Sequence, residues 1–139
     1  MKKHILLIFR IVISVVLLQT LRFKFTAHPD SVYIFSTVGL EPFGRISIGI
    51  LELCAALLIL FPKTIWVGAL LTFGIISGAI LMHITILGIE INNDNGLLFY
   101  TALLVFILSG IVTWTQRKKI PLVNKLFPYK YLKGNNIET

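Results

Sequence analysis

Charged residues are scarce in this chain, and cysteine is nearly absent. Charged side chains make up 14% of the 139 residues, whereas soluble domains carry about 25%. The single cysteine, Cys54, excludes an internal disulfide and a metal cluster built on cysteine. A water-soluble domain of this size has too much surface to hide its apolar residues with so few charges. A chain that lies in a lipid bilayer can expose these apolar residues to lipid instead of water.

What the chain has in abundance is apolar sequence, with 56% hydrophobic residues and a mean hydropathy of +0.88. Crossing a hydrocarbon core takes about 17–25 helical residues, and only helices satisfy their own backbone hydrogen bonds there. We therefore predict an all-α, four-transmembrane-helix bundle in a single membrane domain, residues 1–139. Its spans lie at about 5–21, 45–61, 64–89 and 96–115, and a basic tail covers 116–139.

The basic residues predict the orientation of these spans. A net charge of +7 can indicate nucleic-acid binding, but no basic stripe here alternates with exposed aromatics. We therefore expect a lipid bilayer as partner and no nucleic acid. Lys and Arg mark the cytoplasmic side of a membrane protein. Three of these residues lie on one side of the predicted bundle, and nine lie on the other side together with both termini. This difference predicts that both termini are cytoplasmic. The nine residues are Lys2, Lys3, Lys63, Arg117, Lys118, Lys119, Lys125, Lys130 and Lys133.

The first outer loop, residues 23–44, contains a candidate short helix over Asp30–Val38. Pro29 suits a helix start, and Val32, Phe35 and Val38 share one face. We expect an interfacial helix that covers the bundle, and a lid over an outer pocket is the alternative. The basic and aromatic tail suits contact with an anionic inner leaflet.

Three ionisable residues lie inside the predicted spans, where such groups are functional candidates. Arg10 is close enough to the cytoplasmic face to extend its side chain to the head groups. Glu52 lies about 10 Å deep on one helical stripe with Arg45 and small residues, so it should point into the bundle. Unpaired, Glu52 should stay protonated; near Arg45 or a protonated histidine it can ionise. A structural hydrogen bond between helices is the alternative.

His83 lies at a depth comparable with that of Glu52. One turn earlier, Gly74-x-x-x-Gly78 predicts a surface for close helix packing. A lone intramembrane histidine can serve only as an interhelical hydrogen bonder. Its matching depth nevertheless predicts a site shared with Glu52.

Polar residues therefore gather in the outer half of the membrane. We assign candidate catalytic roles to Glu52 and His83. Candidate substrate- or cofactor-binding residues are Gln19, Arg22, Lys24 and Arg45. A carboxyl and an imidazole can bracket a quinone-like head group and pass protons; alternatively, the cations attract an anion. One histidine well inside a span is a poor ligand set, so neither metal nor haem is expected.

Several short motifs resemble the DoxX-like family of four-helix membrane proteins. They are Lys24-Phe25, Arg45-x-x-x-Gly49-x-x-Glu52-Leu53, Leu58-x-x-Phe61-Pro62 and Gly78-Ala79-x-x-x-His83. With the fourth span they cover roughly residues 19–117. The resemblance implies a plasma-membrane protein, with some relatives attached to quinone-linked sulfur or thiol oxidation and others acting as assembly or cargo factors.

The leading hypothesis is a membrane subunit that supports a quinone-linked redox process through an outer-leaflet polar pocket lined by Glu52 and His83, with a redox-enzyme subunit as partner. One alternative is a non-catalytic assembly factor, membrane chaperone or interaction protein. A second is a small proton-coupled transporter, whose site would need a homodimer to span the membrane. The residues leave open whether the chain itself is an enzyme.

Overall fold

A computed structural model describes residues 2–126 of the chain, and within that range every regular element is a helix. The predicted all-α class is confirmed for this part of the chain. Of the predicted tail, residues 127–139 lie outside the described residues. The elements are α1 (Lys3–Phe25), α2 (Pro29–Thr37), α3 (Phe43–Leu58), α4 (Ile65–Met82) with a π-helical turn (His83–Leu87), α5 (Leu97–Gln116) with a 3₁₀ turn (Arg117–Lys119), and α6 (Pro121–Leu126).

Three helical segments of residues 2–126 are long and apolar enough to cross a membrane. Each has 23 residues and a mean hydropathy of 2.1 or 2.2: Lys3–Phe25, Ile65–Leu87 and Leu97–Lys119. They correspond to the first, third and fourth predicted spans and indicate a membrane protein. Helix α3, in the place of the second predicted span, has 16 residues and is not among them.

The long helices pack side by side in alternating directions. Arg10 contacts Ile59 and Ser14 contacts Ala56, so α1 and α3 are antiparallel. The rings of Phe73 and Phe106 stack with centroids 4.8 Å apart. Further along, His83 contacts Phe99, so α4 and α5 are antiparallel as well.

Small residues set how closely these helices approach each other. The α3–α4 turn places Gly68 directly against the backbone of Ile59, where an added Cβ would lie 2.3 Å from the Ile59 nitrogen. By contrast, an added Cβ at Gly74 or Gly78 meets nothing within 4 Å. The predicted close packing at Gly74-x-x-x-Gly78 is therefore wrong within this chain, because these glycines face away from its own helices.

The antiparallel packing gives the molecule two chemically different ends. The basic end holds the start of α1, the α3–α4 turn and the end of α5. Trp66 and Trp114 both lie there. The mixed-charge end holds the end of α1, the start of α3, the π-helical turn and the Asn-rich loop before α5.

The predicted loop helix forms as α2 over Pro29–Thr37, at the mixed-charge end. Pro29 is its first residue, and the His28 ring accepts a hydrogen bond from the Asp30 backbone N–H at 3.3 Å. The side-chain amide of Asn92 donates to Asp30 Oδ1 at 2.8 Å. This bond ties α2 to the loop that precedes α5.

Candidate functional site

The centre of the mixed-charge end is an ion pair between α1 and α3. Lys24 Nζ lies 2.9 Å from Glu52 Oε2, and the two side chains are 14% and 5% exposed. The Thr20 hydroxyl lies 3.1 Å from the same carboxylate oxygen. A buried charged group is costly unless it is paired and hydrogen-bonded, and Lys24 and Thr20 supply these partners to Glu52.

A glycine allows Lys24 to approach α3. An added Cβ at Gly49 would lie 2.9 Å from the Phe25 ring and 3.5 Å from Lys24 Cβ. Gly49 lies on the buried stripe of α3 together with Arg45 and Glu52. The predicted stripe is therefore confirmed as a face turned toward the neighbouring helix.

Arg45 extends this ionic contact toward the loop before α3. Its Nε lies 2.9 Å from both carboxylate oxygens of Glu41, and a terminal nitrogen lies 2.8 Å from Oε1. The other terminal nitrogen donates to the backbone oxygen of Lys24. Arg45 thus fixes the backbone of Lys24, whose side chain binds Glu52.

The partner of Glu52 differs from both expected partners. The sequence pattern favoured Arg45 or a protonated His83, but Arg45 is taken by Glu41 and Glu52 binds Lys24. The physical reason is the crossing of α1 and α3, which brings the last turn of α1 against Gly49. The long side chain of Lys24 then reaches the carboxylate.

His83 belongs to a second cluster, built from α4, α5 and the π-helical turn. Its Nδ1 lies 2.7 Å from the Gly88 carbonyl oxygen, and its ring meets Phe99 edge-on at 5.5 Å. Because a carbonyl oxygen only accepts, Nδ1 carries the hydrogen of this bond. Glu52 and His83 are both buried, but the partners of Glu52 lie on α1, whereas the hydrogen-bond partner of His83 is Gly88, directly after the π-helical turn.

Asp94 closes this second cluster at the start of α5. Its carboxylate accepts backbone hydrogen bonds of 2.8–3.0 Å from Ile91, Gly96 and Leu98. Burial alone raises the pKa of the Asp94 carboxyl, but the three backbone amides and the nearby His83 hold that pKa below its ordinary value. Asp94 therefore stays ionised and anchors the first turn of α5.

The remaining predicted binding residues lie outside both clusters. Gln19 and Arg22 are exposed on α1, on faces other than the one that packs against α3. The structure thus joins Lys24, Arg45 and Glu52, and it leaves Gln19 and Arg22 at the surface.

Arg10, the third ionisable residue within the predicted spans, has a structural contact at the basic end. Its Nε donates to the Ile59 carbonyl oxygen at 2.7 Å, and a terminal nitrogen donates to the Leu60 oxygen. These carbonyls belong to the end of α3, where helical partners run out. Arg10 therefore caps α3, and the predicted contact of its side chain with the head groups stays a prediction.

Sequence reasoning missed three contributors: Thr20, Glu41 and the capping role of Asp94. Glu41 lies four residues before Arg45, a spacing that pairs side chains along a helix, and this signal was available. Asp94 precedes α5 among turn-forming asparagines, which is typical of a capping residue. Thr20 carried no such signal, because its contact depends on the register between α1 and α3.

Two apolar surface grooves lie away from these clusters. One runs along α4 from Trp66 to Ile75, and the other lies between α4 and α5. Residues 2–126 contain no group of three or more His, Cys, Asp or Glu placed to hold a metal ion. No family model, curated protein or solved structure matches this chain.

The two clusters offer distinct chemistry. The Lys24 ammonium uses one of its three hydrogens on Glu52, so it can donate to a carbonyl oxygen of a ligand. The Glu52 carboxylate can accept a proton, and the carboxylic acid so formed can release it. When its ring is neutral, His83 offers Nε2 as a second proton acceptor.

Proposed function

We propose that this protein crosses the plasma membrane four times, with α3 as the second span and the basic end in the cytoplasm. Sixteen helical residues extend about 24 Å, and the turn at Ile59–Leu60 lengthens α3 toward the full core of about 30 Å. Helix α3 packs between α1 and α4, which both qualify as spans. The excess of Lys and Arg at the basic end supports the orientation.

A DoxX-like membership is part of this proposal. The residues that carry the resemblance at the α1–α3 crossing contact one another. Lys24 binds Glu52, Phe25 lies against Gly49, and Arg45 binds the backbone of Lys24. Motifs far apart in the sequence thus form one connected unit, as expected if they mark one functional element.

The function that we propose for this unit is support of a quinone-linked redox process, in which a partner enzyme supplies the electrons. The single observation that carries it is the buried Lys24–Glu52 pair within membrane-embedded helices. Charged groups are costly there and usually serve function. A quinone carbonyl can accept a hydrogen bond from Lys24, and Glu52 can exchange the proton that accompanies reduction or oxidation of the head group.

The experiment is quinone binding by the purified protein in nanodiscs. We expect a lipid-soluble quinone in the organic extract of the wild-type protein. Glu52→Gln should insert normally and bind a short-chain quinone at least tenfold more weakly, and the same loss in His83→Ala would extend the site to the second cluster. A matched control is Lys63→Gln, which removes an exposed charge at the basic end. Wild-type affinity in Glu52→Gln would refute the quinone site.

A second candidate function is a non-catalytic membrane assembly or interaction protein. One observation favours it: Arg45, Glu52, His83 and Asp94 all have partners within the chain. Such groups can hold helices together without a ligand. This function predicts that a protein partner co-purifies in mild detergent, and that Glu52→Gln releases the partner only when it also unfolds the chain.

A further inference from the structure

The groove between α4 and α5 ends beside a concentration of positive charge at the basic end. Its lining on α5 runs from Phe106 to Thr115, about 14 Å of helix, and its volume is about 530 Å³. The walls are almost entirely apolar. A groove of this length and polarity suits an extended hydrocarbon chain.

Two features shape the groove. Phe73 and Phe106 stack with their ring planes 22° apart and form part of its lining. Gly110 contributes no side chain, and an added Cβ there would lie 3.3 Å from the Phe73 ring. A larger residue at position 110 would therefore displace the Phe73 ring, which forms part of the groove.

A cation lies at the end of the groove. The Arg117 guanidinium lies 4.5 Å above the Trp114 ring, and one of its nitrogens donates to the Trp114 carbonyl oxygen at 2.8 Å. The Trp114 side chain is 68% exposed, as expected for an indole at the head-group level. Arg117 is thus held beside the groove, with other guanidinium hydrogens available for a ligand.

The distribution of charged residues along the molecule indicates that a ligand bound there is negatively charged. All five acidic residues within the described range belong to the mixed-charge end or its loops: Asp30, Glu41, Glu52, Glu90 and Asp94. At the basic end, Lys118 and Lys119 follow Arg117. After them, α6 exposes Leu122 and Leu126, each at 65%, so this segment has the pattern of an interfacial helix.

From this geometry we infer a specific site for an anionic phospholipid, with its acyl chain in the α4–α5 groove and its phosphate at Arg117. The neighbouring lysines add a general attraction to anionic head groups. The site is independent of the proposed quinone function, because it uses neither cluster of the mixed-charge end.

Native mass spectrometry of the full chain with equimolar phosphatidylglycerol and phosphatidylcholine tests the site. Wild type should retain phosphatidylglycerol preferentially. Arg117→Gln should reduce that preference about fivefold, the factor typical of one basic group at a membrane surface. The matched control Lys63→Gln, an exposed charge at the same end, should retain the wild-type preference. Gly110→Leu should retain less of both lipids.

Three results would overturn the assignment. The first is equal retention of the two lipids by wild type, and the second is an equal loss of preference in Arg117→Gln and Lys63→Gln, which would indicate diffuse attraction alone. The third is displacement of phosphatidylglycerol by excess inorganic phosphate, which would indicate a free-anion site. If Gly110→Leu fails to fold by circular dichroism, the comparison of Arg117→Gln with Lys63→Gln decides.

Discussion

The two ends of the molecule use their charges in opposite ways. At the mixed-charge end, Glu52 and Arg45 are buried between helices and have opposite charges as partners. At the basic end, Lys63, Lys118 and Lys119 are exposed, and Arg10 binds backbone carbonyls. Ion pairs therefore organise one end, whereas close backbone packing and surface charge organise the other.

This difference indicates which end of a small membrane protein is the better candidate for a functional site. Exposed cations at a membrane surface set orientation and lipid contact at little energetic cost. A buried pair has to offset the desolvation of both groups. The Lys24–Glu52 pair is therefore the feature whose removal should change the protein most.

Lys24→Met should produce the largest loss of stability. The substitution leaves the Glu52 carboxyl buried with only Thr20 beside it, so we expect a loss of roughly 3 kcal/mol in the free energy of unfolding. Unfolding by sodium dodecyl sulfate in mixed micelles measures this loss. Lys63→Met is the matched control at the basic end and should change stability by less than about 0.5 kcal/mol.

Gly68→Ala should show that packing, not charge, holds the basic end. The new methyl group would meet the Ile59 backbone, so we expect a loss of about 2 kcal/mol from overpacking. Gly74→Ala lies on the same helix in open space, and it should be neutral or stabilising because alanine favours helix. Equal effects of the two substitutions in the same assay would contradict this packing.

Asp94→Asn should weaken the mixed-charge end in a pH-dependent manner. The folded state holds the pKa of Asp94 below its ordinary 3.8, so the carboxylate stabilises the fold fully above that value. This contribution disappears as the pH falls through the lowered pKa. Near neutral pH the variant should lose about 1 kcal/mol, as for a helix cap. Unfolding measured between about pH 7 and pH 3 should show wild type and variant converging only at the acid end.

Arg10→Met should have an effect of about the same size as Asp94→Asn, but at the basic end. It removes hydrogen bonds to two carbonyls at the end of α3, worth about 1 kcal/mol in total, and it leaves no charge unpaired. Hydrogen exchange should accelerate at the last turn of α3 and stay unchanged at Glu52. Faster exchange at both ends would show that the two ends are not independent.

Much of the fold was predictable because long apolar runs indicate helices that can cross a membrane. Helix α2 was also predictable, since Pro29 and the apolar spacing after it are local signals. The exact ends were not: α1 continues to Phe25, beyond the predicted 21, because Lys24 and Phe25 pack against α3. Tertiary contacts lengthen that helix past its apolar run.

The site was predictable in composition but not in pairing. Glu52, Arg45 and Lys24 were recognised because charge inside or beside an apolar span is conspicuous. Their partners depend on the register of α1 against α3. This register is not predictable from the sequence, because a connection of 17 residues that includes α2 separates Phe25 from Phe43. The depths of Glu52 and His83 in the membrane match, but depth does not specify which helix face a residue lies on. The sequence therefore did not predict that the two side chains have separate contacts.

A charge swap at positions 24 and 52 tests most directly whether the Lys24–Glu52 pair organises the mixed-charge end. Lys24→Glu and Glu52→Lys should each lose roughly 3 kcal/mol, since each places two like charges together. The double variant restores opposite charges and should regain at least half of the summed loss in the same unfolding assay. A double variant whose loss equals the sum of the single losses would show that the two residues act independently, and it would contradict the account.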